Sequence, residues 1–130
     1  MVAVLNTDIR QNIEQALAGA FSSSIIAWPG LDFSAPNSLW LRPYTVIAGE
    51  MPEYFTKDKI TGVLVVEVFT PLNTGAADLY NAIATLQDTF YRQKINNLYF
   101  HSVEAIRQLT ENDQYLGMAI DFQFIGYSIN

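Results

Sequence analysis

The chain contains no cysteine. That excludes a disulfide framework, a thiol nucleophile and a zinc knuckle, so stability has to come from burying apolar surface. Charge is also scarce. Only 15% of residues are charged, against the roughly one quarter usual in globular domains. The seven Lys and Arg are outnumbered by 13 Asp and Glu, giving a formal charge of −6. No window clusters enough cations to neutralise several phosphates, which argues against gripping nucleic acid. Long apolar runs are missing too. Val2, Ala3, Val4 and Leu5 are stopped by Asn6, Thr7 and Asp8, short of a signal peptide's apolar core, and no later stretch approaches bilayer length. The expectation is a soluble chain made in a cytoplasm, with no membrane partner.

What the sequence has is apolar and aromatic material. Half of its 130 residues are hydrophobic and 13% are aromatic. This fills one core, so 1–130 is expected to be a single domain. It also supplies more apolar surface than a core of this size readily hides, and part of the surplus is expected at an interface.

Asn6 or Thr7 is a candidate helix cap, and Ile9, Ile13, Ala16, Leu17 and Ala20 then recur at helical spacing up to about Gly19 to Phe21. Ser22, Ser23 and Ser24 read as loop or capping residues. Gly30 to Ser38 is a loop with Phe33 as an apolar plug. Leu39 to Ile47 is predicted to be a strand, with Pro43 indicating an edge or a bulge. Ile60 to Phe69 is apolar on both alternations, which suits a central strand. Ala48 to Lys59 between them is too long for a tight turn, so a projecting loop or hairpin arm is expected.

Pro71 closes that strand. Asn73 or Thr74 then caps a second helix to about Arg92, with Leu79, Ile83, Leu86 and Phe90 as its buried stripe and Asp88 spaced to pair with Arg92. Leu98 to Ile106 and Tyr115 to Tyr127 are the last strands. In the second of them Leu116, Met118, Ile120, Phe122 and Phe124 alternate as a buried face, leaving Tyr115, Asp121, Gln123 and Tyr127 for water or a partner. The predicted fold is α+β: a mainly antiparallel or mixed sheet of four to five strands with two helices packed on one side.

Catalytic signals are thin. His101 is the one histidine and has no carboxylate at ligand spacing. Glu104, Glu111, Asp113 and Asp121 follow neither the calcium-loop nor the zincin pattern. Gly75 opens a helix but lacks the other glycines and the lysine of a phosphate-binding loop, and no Gly-x-Ser-x-Gly elbow surrounds the serines. No enzyme activity, metal or cofactor is expected. The alternative of another class is a small-ligand-binding α+β domain or enzyme, whose best candidates are His101 and Asp121. Contact with other chains is assigned instead to the arm, where Met51, Tyr54 and Phe55 are apolar anchors among Glu50, Glu53, Lys57, Asp58 and Lys59. Trp28 and Trp40 are assigned to packing.

Ile26-Ala27-Trp28-Pro29-Gly30-Leu31-Asp32-Phe33, then Pro36 and Trp40-Leu41-Arg42, resembles the tail terminator, or tail completion, proteins of tailed bacteriophages. Gly62 to Phe69 followed by Pro71, Gly75 and a helix ending in Phe90 is similar to the same family, and the likeness covers nearly the whole chain. It implies a structural virion protein of the tail and neck region. Such proteins form a homohexameric ring that caps the head-proximal end of the tail tube, stops its polymerisation and joins the tail to the neck. The implied partners are the chain itself, the tail tube protein and a neck or head-completion protein, with another neck or minor tail role as the near alternative. DNA is expected to pass through without specific binding. Six chains at −6 put −36 on one ring, which repels DNA over about one Debye length.

Overall fold

The computed structural model describes residues 2–54, 57–72, 76–96, 98–108 and 115–129. Along the chain lie α1 (Val2–Ala20), a 3-10 turn (Ser23–Ile25), β1 (Trp40–Tyr54), β2 (Lys57–Pro71), α2 (Ala77–Phe90), β3 (Gln93–Ile95), β4 (Leu98–Gln108) and β5 (Tyr115–Ile129). The five strands form one sheet in the order β1-β2-β5-β4-β3, and every neighbouring pair is antiparallel. Both helices pack on one face, so the fold is α+β as expected. The sheet is purely antiparallel rather than mixed.

Alternation decides what that face buries. Ile60, Leu64, Val66 and Val68 of β2 meet Ile120, Phe122 and Phe124 of β5, with Leu98 and Phe100 of β4 beside them. Ile9, Ile13 and Leu17 of α1 and Leu79, Ile83, Leu86 and Phe90 of α2 close this core from above. Each fully buried side chain of this size contributes on the order of 1.5–3 kcal/mol. Phe90, Phe100, Phe122 and Phe124 form a chain of ring contacts with centroids 5.1–5.4 Å apart.

Several boundaries differ from expectation. α1 starts at Val2, so Asn6 and Thr7 are interior residues rather than caps. Val2 to Leu5 continue the helical run, and one Asn and one Thr inside a helix cost only tenths of a kcal/mol. Asn73, Thr74 and Gly75 lie outside the described residues. The cap position of α2 is Ala76, which makes no side-chain cap bond, while Asp78 in the first turn complements the helix dipole. α2 closes at Phe90. Arg92 adopts a left-handed φ of 58° and lies 5.2 Å over the Tyr91 ring, and no Asp88–Arg92 ion pair forms among the described residues. That reversal starts β3, a short strand that carries too few residues to show a period.

Of the two forms expected for the interval 48–59, the hairpin arm is the one found. Instead of a long loop, β1 runs on to Tyr54 and β2 begins at Lys57, so the two 15-residue strands form one extended hairpin. At about 3.4 Å per residue each spans roughly 50 Å, about twice the roughly 21 Å of the 14-residue α2. Pro43 sits on an edge strand, as its missing N–H requires.

Candidate functional site

The helix-free face of the sheet is built in three zones. At one end Trp40 stacks on Phe69 at 4.5 Å, with Phe33 at 5.3 Å and the edge of Tyr115 at 5.5 Å. Phe33 is therefore the expected plug and Trp40 a packing residue. Trp28 is half-buried against the core, and its carbonyl accepts the Leu31 N–H across Pro29 and Gly30. Gly30 has a φ of 80°, so Pro-Gly occupies the central positions of a type II turn. The Trp40 indole Nε1 is buried with no acceptor, one of two such side-chain atoms together with Thr70 Oγ1 among the described residues. Burial without a partner costs about 1–3 kcal/mol, set against the stacked rings.

A charged stripe crosses the middle. Arg42 Nε donates to Glu67 Oε1 at 2.6 Å across β1 and β2, and Arg107 donates to Asp121 across β4 and β5. The Arg107 guanidinium is held above its ordinary value, first by the hydrogen bond to Asp121, against a smaller opposing effect of burial. Val65, between Tyr44 and Asp121 in register, is 5% exposed, and Ala119, between Glu67 and Arg107, is fully buried. With no helix on this side, the long side chains around them close over this part of the sheet. Alternation correctly put Asp121 on the outward face. Its link to Arg107 depends on β4 lying beside β5, which no local pattern announces.

The two residues proposed for an enzyme alternative have separate partners. Asp121 is engaged by Arg107, whereas His101 Nδ1 lies 3.1 Å from Ser102 Oγ. Ser102 in turn donates to Gln123 Oε1 at 3.0 Å. A hydroxyl has one proton, so with that proton on Gln123 Oε1 the His101 contact is a hydrogen bond only in the Nδ1–H tautomer. Among the described residues no three His, Asp or Glu side chains come together as a metal site. No described helix is long and apolar enough to cross a membrane. A groove of about 190 Å³ between α1 and β1 is lined by Ile13, Leu17, Trp28, Pro43 and Leu64, with the Arg10–Glu14 pair also lining it. It is smaller than the roughly 300–1,000 Å³ common for small-molecule pockets.

The third zone is the hairpin to which chain contacts were assigned. Glu50 pairs with Ile60, Met51 with Lys59, Pro52 with Asp58 and Tyr54 with Lys57. A register shift between Pro52 and Tyr54 leaves Glu53 as the extra residue. Phe55 lies outside the described residues. β5 follows on the other side, pairing Lys59 with Tyr127, Asp58 with Ser128 and Lys57 with Ile129. The expected contact residues other than Phe55 thus belong to one end of a three-stranded ladder, which continues three pairs past Ile60, the buried core residue of β2 nearest that end.

Both sheet edges are partly open. Ala27 N–H donates to Leu41 O at 2.7 Å and covers the start of β1, and among the described residues nothing pairs with its outer side beyond that point. β3 covers only Leu98 to Phe100 of β4. Five of the eight large hydrophobics exposed among the described residues belong to these two strands: Tyr44, Val46 and Ile47 of β1, and Tyr99 and Ile106 of β4. The sequence showed an apolar surplus but not its location.

No known protein family matches this chain, and no curated protein does. Among solved structures, 18 chains match. One of them, which carries no descriptive name, is 18% identical with a TM-score of 0.63, over 92% of this chain and 94% of its own length. At that identity the likeness shows a shared fold and nothing about activity.

Proposed function

We propose that this chain is a structural assembly protein whose copies form a ring at the head-proximal end of a phage tail tube. There it ends polymerisation of the tube and joins it to the neck. The observation that carries this reading is the ladder of β1, β2 and the end of β5 beyond Ile60, where strand positions 50–54 and 57–59, whose residue types include apolar ones and both signs of charge, share one extension. A continuous backbone ladder holds such an extension rigid, as a contact with a neighbouring subunit or tube requires. The resemblance to tail terminators supplies the kind of partner.

The test combines mass with tube growth. Six chains of 14.6 kDa make 87.6 kDa, which light scattering separates from a monomer. Added to the tube protein of its own phage as it polymerises, the chain is expected to shorten the tubes and to be seen at one end by negative-stain microscopy. Unchanged tube lengths with bare ends, at saturating chain, would refute the proposal.

A further inference from the structure

The two open edges suit each other, and we infer that β1 of one copy pairs with β4 of the next, so that the sheet continues from subunit to subunit. This rests on the ring reading above and adds the surfaces that join the copies. An unpaired strand is a template for another chain, and monomeric proteins commonly blunt it with charge or proline. Here Pro43 and Pro52 bound an outer stretch at residues 44–51, and Tyr44 to Gly49 within it contains no Asp, Glu, Lys or Arg. The open stretch of β4, residues 101–108, has the same length of eight. Where β1 can reach a partner within its own chain, at Leu41, it takes one.

Direction also agrees. β1, β2, β5 and β4 alternate in sense, so β1 and β4 run in opposite directions within one subunit. A rotation about an axis along the strands preserves each direction, and therefore sets β4 of one copy antiparallel to β1 of its neighbour. The ladder then continues with the same bonding pattern it has inside the subunit. Because the two edges differ, the contact is head-to-tail and repeats into a ring if the rotation closes. A two-fold pairing of β1 with β1 would also be antiparallel, but it would leave Ile106 and the β4 edge uncovered. One repeated head-to-tail contact covers both.

The absence of cysteine makes the test clean. Thr45 and Ile47 of β1, and Val103 and Ile106 of β4, have register partners on the helix-bearing face, so sulfurs placed there emerge on one side of a joined sheet. Thr45→Cys and Ile47→Cys are each mixed with Val103→Cys and Ile106→Cys, free and with tail tubes, and oxidised mildly. A disulfide needs Cα atoms within about 7 Å. Covalent dimers in at least one mixture, and in no single variant alone, are the expected result. Oligomers without a mixed disulfide would overturn the edge pairing and leave the ring standing; dimers from a β1 variant alone would overturn it in favour of two-fold pairing. A chain that stays monomeric and uncrosslinked in both settings would also overturn it, while tube capping is judged by its own assay. Val46→Lys is expected to weaken self-association at least tenfold with an unchanged circular dichroism spectrum, and undiminished association would count against the pairing.

Discussion

Replacing Gly62 with alanine tests whether β2 owes its place to a missing side chain. A Cβ built at Gly62 would stand 2.6 Å from Phe124 Cζ and 2.8 Å from the Val46 carbonyl oxygen. Ordinary contact begins near 3.4 Å, so both neighbours would have to retreat by more than half an ångström. Neither moves freely. Phe124 is fully buried with its ring 5.4 Å from Phe100, and Val46 O belongs to the strand paired with β2. Overpacking of this kind costs about 1–3 kcal/mol. For a domain of this size that is a fall in Tm of roughly 3–15 °C. Urea denaturation should show a lower midpoint with an unchanged slope, because the surface exposed on unfolding stays the same. Phe124→Leu shortens the obstructing side chain, so the double variant Gly62→Ala/Phe124→Leu should lose less stability than the two single losses added together. A Gly62→Ala protein as stable as the parent, or more stable through the smaller entropy of its unfolded chain, would refute the close-approach argument.

Two further substitutions probe the helix-free face. Trp40→Phe removes the orphan Nε1 along with part of the indole, so relief of an unsatisfied donor opposes lost stacking, and a net change within about 1 kcal/mol is expected by thermal denaturation. Asp121→Asn leaves Arg107 without its anionic partner. Arg107 is 41% exposed, so solvent screening should hold the loss below about 1 kcal/mol and shrink it further in 1 M salt. The sign of the pH dependence follows from the raised folded-state value of Arg107. Its contribution is fully present below the ordinary arginine value and is lost only far above neutral pH, so the Arg107 ionisation should add no slope to stability between pH 6 and 9.

Local pattern made the elements legible. Alternation over Leu116 to Phe124 and the 3.6 period from Leu79 to Phe90 are direct consequences of which side of a strand or helix meets the core, whereas Ile60 to Phe69, apolar on both faces, announced an inner strand without saying which face the helices cover. Pro43 announced an edge strand because it cannot donate. β3 was not legible, because three residues hold no period. For Ala48 to Lys59 length alone left a projecting loop and a hairpin arm both open, and pairing decided for the hairpin, with Gly49 and Pro52 at register shifts on an edge strand that tolerates them.

Cysteine content, charge, the apolar surplus and the faces of single strands were therefore fixed by the order of residues alone, since each depends on the residue or its near neighbours. Tertiary structure alone decided that β2 lies against β5, with β4 on the far side of β5. Pairing of that kind joins segments more than 40 residues apart and leaves no mark on either one. It brought Arg107 to Asp121 and set Gly62 under Phe124. It also left β1 and part of β4 as the two open edges, and put on those strands five of the eight large hydrophobics exposed among the described residues.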